Sequence, residues 1–173
     1  LNFIIKGALQ QGDHVILSCF EHNSVLRPVH ELWRRGVVSY SVADVVEGDD
    51  ERTVKNFEAL IRQDTRLIIC THASNVCGIR LPIEGICRMA HQYGIAVLVD
   101  AAQTAGVLPI DVEKMGVDVL VSLPVELSRQ EGFIPQILIE ELGAEQFVIG
   151  KECPDRKRLE TWEKKLTAAD MVC

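Results

Sequence analysis

The stretch "IAVLVDAAQTAG", residues 95–106, determines the fold class. Five apolar residues, Ile95 to Val99, run directly into Asp100, and Gln103 follows three residues later. A short and uninterrupted apolar run is typical of a strand that is buried on both faces, as in a parallel sheet. The sequence therefore predicts that Asp100 stands at the end of a buried strand.

Similar apolar runs alternate with helical segments along the chain on both sides of this strand. Helices are predicted at the start of the chain and over 25–35, 54–63 and 83–93, with a short helical turn at 111–116. Strands are predicted over 14–20, 37–42, 66–73, 95–101 and 117–123. This alternation predicts an α/β fold, with a mostly parallel sheet and helices on both faces.

Composition narrows the class of function. The chain has 173 residues, 47% hydrophobic and 25% charged, with a net charge of −7. An acidic chain without a basic stripe is not expected to bind nucleic acid. No run approaches the roughly 18 apolar residues of a membrane helix, and no signal peptide is visible. The six cysteines form no C-x-x-C pair, so we expect reduced thiols, no metal site and a cytoplasmic location.

Polar residues that follow the predicted strands are the candidate site residues, because open α/β sheets bind ligands outside the carboxyl ends of their strands. They are Glu21, His22, Asn23, Thr71, His72, Ser74, Asn75, Asp100 and Gln103. By contrast, His14, His30 and His91 lie within strands or helices, and we interpret them as structural.

Four of these candidates have both an ordinary and a functional interpretation. Asp100 is either a helix cap or the partner of a protonated ring nitrogen, since a buried carboxylate stays ionised beside a cation. His22 is either a polar loop residue or an imidazole lying on an aromatic cofactor ring. Asn75 is either an Asx-turn residue or a donor to a phenolate oxygen. Gln103 is either a residue of the first helical turn or a second phenolate donor.

Three ordered motifs carry a family resemblance. They are "GDHVILS" at 12–18, "EHNSVLRPVHEL" at 21–32 and the long stretch from "THASNVCG" at 71–78 to "VDVLV" at 117–121. Together they resemble the cysteine desulfurase branch of the class V aminotransferase family over about residues 1–122. No G-x-G-x-x-G, Walker or G-x-S-x-G motif competes with this interpretation.

The resemblance implies a fold type I enzyme that depends on pyridoxal 5′-phosphate (PLP) and takes sulfur from cysteine, leaving alanine. It implies that His22 stacks on the PLP ring and that Asn75 contacts the phenolate side and the substrate. It also implies that Asp100 binds the pyridine nitrogen and Gln103 the phenolate oxygen. A cysteine-like amino acid substrate and a homodimer are implied as well.

The Schiff-base lysine of this family has no counterpart in the sequence. Counting without gaps from the Asp100 motif puts Glu126 at its position and Val125 at that of the preceding histidine. No lysine occurs between Lys114 and Lys151. We therefore expect that this chain alone does not bind PLP covalently and shows no desulfurase turnover.

The expected organisation is a partial PLP-binding large domain over 1–123 and a segment without family resemblance over 124–173. We expect that segment to be a partly ordered helical tail, in which 133–150 fits a strand or a helix. A helix already under way at Leu1 suggests a chain that starts within a larger protein and lacks the phosphate-binding turn of the family. Because that turn anchors the phosphate, we expect even non-covalent PLP to bind this chain weakly. A truncated or frame-disrupted gene, a non-catalytic binding or structural remnant, and another class V enzyme such as a selenocysteine lyase or aminotransferase remain open. An unrelated α/β domain is the last alternative.

Overall fold

The computed structural model describes residues 1–122 and the strand at 146–149. The helices are α1 Asn2–Ala8, α2 Asn23–Arg34, α3 Asp50–Glu58, α4 Ile83–Gln92 and α5 Val112–Met115. The strands are β1 Asp13–Ser18, β2 Val38–Ala43, β3 Thr65–Thr71, β4 Ala96–Asp100, β5 Val119–Ser122 and β6 Gln146–Ile149.

The strands form one sheet in the order β2-β1-β3-β4-β5-β6. The first five strands pair in parallel, and β6 pairs antiparallel with β5. The strand β4 lies in the interior of the sheet, and all five of its residues are buried. The predicted α/β fold with a mostly parallel sheet is therefore confirmed.

Two hydrophobic clusters cover the two faces of the sheet. One joins α1 and α2 to the sheet, and it includes Ile5, Val25 and Leu98. The other joins α3, α4 and α5 to the opposite face, and it includes Phe57 and Val97. Consecutive β4 residues belong to different clusters, as side chains that alternate across a strand must. Helices on both faces explain why β3, β4 and β5 carry apolar residues on both of their sides, whereas the edge strand β2 alternates apolar residues with serines.

Two predictions about elements require comment. The helix predicted over 54–63 spans Asp50–Glu58 instead, so it begins earlier and ends earlier than expected. For 124–173 we expect a partly ordered helical tail in which 133–150 fits a strand or a helix, and Gln146–Ile149, which the structure describes there, is a strand. The rest of that range lies outside the described residues, and the division of the chain at 123 stays a prediction. Within the described part, no helix is long and apolar enough to span a membrane.

Candidate functional site

The site predicted from the sequence lies where the direction of strand order reverses. The strands β2 and β3 flank β1 on opposite sides, so the chain leaves β1 in one direction and returns past it in the other. Such a switch point opens a crevice at the carboxyl ends of the strands. We use "switch-point edge" for the carboxyl ends of β1, β3 and β4 together with the segments that follow them, 19–22, 72–78 and 101–106.

Asp100 is the last residue of β4, and only 7% of its surface is exposed. Its side chain lies on the sheet face that α1 and α2 cover, because it alternates with Leu98 and Ala96 of that cluster. Oδ1 accepts a hydrogen bond from the Ala102 amide at 3.0 Å, which shapes the turn after the strand. The backbone carbonyl accepts from the His72 amide at 2.8 Å and ties β4 to the segment after β3.

His22 is exposed and caps the N-terminus of α2. Its Nδ1 accepts from the Ser24 amide at 3.2 Å and lies 3.0 Å from the Ser24 hydroxyl oxygen. Because an accepting ring nitrogen carries no proton, the neutral ring carries its proton on Nε2. The cap fixes one ring nitrogen and leaves the other for a ligand.

Asn75 and Gln103 are both exposed, and neither side chain makes a hydrogen bond within residues 1–122. The Asx turn weighed for Asn75 is replaced by a turn around Ser74. Its hydroxyl oxygen accepts from the amides of Val76 at 3.3 Å and Cys77 at 3.4 Å. Gln103 lies in a series of turns rather than in a helix. Both amide side chains are therefore available to a ligand.

The structure brings these four residues to the same edge, since β1, β3 and β4 are neighbours. In the register between β3 and β4, Thr71 pairs directly with Asp100. Asn75 follows that pair by four residues, and His22 lies four residues beyond the end of β1. Their roles toward a cofactor stay predictions.

Glu21, one of the strand-end candidates, has a buried carboxyl group, unlike His22, Asn75 and Gln103. It is 8% exposed, and its Oε1 accepts from the Thr71 amide at 2.7 Å and from the Ser18 hydroxyl. Within the described part of the chain, Oε2 is buried and has no hydrogen-bond partner. Burial raises the pKa of Glu21 to about 7, against the effect of both donors, and Asp100 adds to the rise. The sequence signal was its position directly before His22.

His72 is buried and holds the segments after β3 and β4 together. Its Nδ1 lies 2.9 Å from the Thr104 hydroxyl oxygen. Burial lowers the pKa of His72, and the nearby Arg80 lowers it further. A neutral His72 therefore acts as a structural link beneath the turn that carries Gln103.

The lysines of the described part lie elsewhere. Lys6 pairs with Glu31 at 2.6 Å, and Lys55 pairs with Glu51 at 2.6 Å on α3. Lys114 lies in α5, which precedes β5 and so stands at the opposite edge of the sheet. Glu126 falls outside the described residues. No group of His, Cys, Asp and Glu side chains in the described ranges could hold a metal ion.

Comparisons with known proteins agree with this architecture. The family model described as "Aminotransferase class-V" matches residues 1–122. "Cysteine desulfurase IscS" of Dictyoglomus turgidum is 36% identical over 127 residues, covering 69% of this chain and 31% of that protein. The Escherichia coli cysteine desulfurase CsdA (S-sulfonic acid) matches with a TM-score of 0.63 and 26% identity, over 70% of this chain and 31% of that one.

A further solved structure shows likeness of fold alone. It is a C-DES mutant with glycine covalently linked to its PLP cofactor, matched with a TM-score of 0.70 and 24% identity. The match covers 88% of this chain and 38% of that one. The chain spans less than a third of the length of the curated cysteine desulfurases that it matches.

Proposed function

The chain belongs to the class-V aminotransferase family, and we propose that its switch-point edge is the ring-binding part of a PLP site of the cysteine desulfurase type. The buried carboxylate of Asp100 at the end of an interior strand carries this proposal. A carboxylate in that setting favours a cationic partner, and a pyridinium nitrogen is one. When bound, PLP supplies an electron sink for an amino acid attached to it.

The other predicted residues fit the same group. Asn75 and Gln103 offer exposed amide donors for the phenolate side of the ring, and no partner within residues 1–122 competes for them. His22 offers a ring whose Nδ1 is already fixed by the α2 cap, so that Nε2 can face a ligand. In this arrangement Asp100 holds the ring-nitrogen proton, and the three other side chains orient the ring.

The family's reaction also needs an amine, and this chain offers none at the expected position. The sequence has Glu126 there and no lysine from 115 to 150. We therefore propose the cysteine desulfurase reaction, cysteine to alanine with transfer of sulfur, for the complete family site only. This chain by itself binds the cofactor weakly, because it lacks the phosphate-binding turn, and shows no turnover. Selenocysteine or another amino acid substrate stays an alternative.

The wider setting is part of the same proposal. Family resemblance supports a homodimer that acts on a small cysteine-like amino acid. A cytoplasmic location is proposed from the scattered cysteines, four of which the structure describes as free.

The test uses pyridoxamine 5′-phosphate, because this ligand keeps the ring and phosphate but needs no lysine. Isothermal titration calorimetry of the 173-residue chain should give saturable binding. Asp100→Asn removes the charge and keeps the shape, so its affinity should fall by about tenfold or more, as for a lost charge-assisted hydrogen bond.

The matched control is Asp44→Asn, a change at an exposed aspartate beyond β2. It should bind like the wild type. Equal affinity of the Asp100→Asn variant and the wild type, or no binding by the wild type, would overturn the proposal.

A further inference from the structure

Glu21 connects the two strands on either side of the switch point. Its Oε1 accepts from the Ser18 hydroxyl at the end of β1 and from the Thr71 amide at the end of β3. Thr71 pairs in register with Asp100 on β4, and His22 follows Glu21 directly in the chain. One carboxyl group thus links the segments that carry two of the proposed ring-binding residues.

The distribution of hydrogen bonds over this carboxyl group indicates where its proton lies. Both donors reach Oε1, whereas Oε2 is buried without a partner in the described residues. An ionised group would leave a charged oxygen buried without a donor, which is costly. The neutral acid, with its proton on Oε2, leaves an unpaired hydroxyl group there instead of an unpaired charge, which costs less. Burial is the main cause that raises the pKa to about 7, so the neutral acid is the main form below pH 7 and the ionised form above it.

The titratable groups that face Glu21 from neighbouring elements do not favour its ionisation. Asp100 on β4 raises the pKa of Glu21, and Glu21 in turn raises the pKa of the buried Cys70 thiol on β3. No cation in the described part lowers the pKa of Glu21. Ionised Glu21 would therefore add a second negative charge beside Asp100.

We propose that Glu21 is a positioning residue of the switch-point edge: as a neutral acid it ties β1 to β3 and leaves Asp100 as the one ionised carboxyl group of that edge. This inference rests on the proposed function, because it concerns the placement of His22 and Asp100 around the same ring. A second negative charge would oppose binding of a phosphate-bearing ligand. Neutral Glu21 thus keeps both the geometry and the charge of the edge suited to that ligand.

Two variants distinguish the effect of the hydrogen bonds that Glu21 accepts from the effect of its charge. Glu21→Gln keeps an acceptor and a donor but cannot ionise, whereas Glu21→Leu removes both hydrogen bonds. Glu113→Gln, at an exposed glutamate of α5, is the matched control for a lost negative charge. Circular dichroism first establishes which variants fold.

The first readout is hydrogen exchange of the Thr71 amide, which needs no cofactor. Exchange in Glu21→Gln and Glu113→Gln should match that in the wild type. In Glu21→Leu it should be about tenfold faster, because a buried hydrogen bond to a carboxyl oxygen is lost. Unchanged protection of the Thr71 amide in Glu21→Leu would overturn the proposal that Glu21 links β1 to β3.

The second readout is the affinity for pyridoxamine 5′-phosphate at pH 6 and pH 8. From pH 6 to pH 8, the affinity of the wild type should fall by about threefold or more relative to that of Glu21→Gln. The reason is that only the wild type gains a negative charge at residue 21. The Glu113→Gln control should follow the wild type. An equal loss in Glu21→Gln and the wild type would overturn the role of the charge.

Failure of the proposed function can be told apart from failure of this inference. If the wild type does not bind the ligand at either pH, the proposed function fails. Hydrogen exchange of the Thr71 amide alone then tests whether Glu21 links β1 to β3. If Glu21→Leu does not fold, titration of the Glu21 carboxyl carbon by nuclear magnetic resonance replaces it. A midpoint near 7 supports the neutral acid, and a midpoint near the ordinary 4.5 overturns it.

Discussion

His14 is a buried histidine that stabilises the end of the sheet opposite the proposed site. It lies near the start of β1 and is fully buried. Its Nδ1 lies 2.8 Å from the Thr65 hydroxyl oxygen of β3, and its Nε2 lies 3.0 Å from the Ser41 hydroxyl oxygen of β2. Burial lowers the pKa of His14 to about 4, with a further contribution from Arg62. The neutral ring thus joins three neighbouring strands.

This environment predicts a loss of stability in acid. The unfolded chain binds a proton at His14 near pH 6.5, and the folded chain binds it only near pH 4. Stability from His14 is therefore complete above pH 6.5 and is lost as the pH falls to about 4. Between pH 7.5 and 4.5, the free energy of unfolding of the wild type should fall by about 1–3 kcal/mol more than that of His14→Gln, as measured by urea denaturation.

The comparison must be made between variants, because Glu21 acts in the opposite direction. Its pKa is raised from 4.5 to about 7, so its contribution to stability is complete below pH 4.5 and is lost as the pH rises through 7. Subtracting the pH dependence of His14→Gln from that of the wild type cancels the contribution of Glu21, since His14 and Glu21 lie at separate sites. His30→Gln makes the same change at an exposed histidine and serves as the matched control for the substitution itself.

At the scale of elements, the packing of α3 on α4 depends on a glycine. A Cβ atom added to Gly85 of α4 would lie 2.9 Å from Val54 Cγ2 of α3. The branched valine cannot easily turn away, so we expect Gly85→Ala to destabilise the fold by about 1 kcal/mol. This net value combines an overpacking cost of about 1–3 kcal/mol with a gain in helix propensity of up to about 1 kcal/mol.

A double-mutant cycle measured by urea denaturation checks this. In a Val54→Ala background the added methyl group has room, so Gly85→Ala should become neutral or stabilising. The same effect of Gly85→Ala in both backgrounds would rule out the contact as its cause.

The boundaries of α3 show what the sequence could not supply. The polar, acidic stretch at 43–53 is typical of a connection, yet Asp49 within it caps α3 by accepting from the Arg52 amide at 2.9 Å. Acidic residues in a first turn are stabilised by the helix dipole, so the same residues fit a loop and a helix start. The Thr53 hydroxyl group forms hydrogen bonds with the backbone of Val46, which favour the helix start over the loop. Such contacts leave no periodic pattern in the sequence.

At the scale of the whole molecule, the sheet followed from the sequence more completely than the site did. Apolar runs in four of the five predicted strands indicated burial on both faces, and the two clusters on either side of the sheet agree. The fifth strand, at 37–42, contains Ser39 and Ser41 and forms the edge strand β2. The position of Asp100 at a strand end followed from the same pattern. The environment of Glu21 could not be predicted, because it depends on burial and on contacts with Ser18 and with Thr71, which is fifty residues away.

The last prediction concerns covalent chemistry, which depends on the chain as a whole. Attachment of PLP requires an amine within bonding reach of its aldehyde. Lys114 stands at the opposite edge of the sheet, and Arg129, near the expected position, stays protonated. We therefore expect that this chain, mixed with PLP and reduced with borohydride, carries no stoichiometric adduct on any single lysine. We also expect that it releases no alanine from cysteine.

Peptide mapping by mass spectrometry is the measurement, and the E. coli desulfurase CsdA treated in the same way serves as the positive control. Sparse labelling spread over exposed lysines is expected in any protein, because free PLP reacts with surface amines. The urea-unfolded chain provides that background. A single lysine labelled in full in the folded chain and not in the unfolded one would contradict the prediction, since it would reveal an amine that the folded crevice brings to the ring.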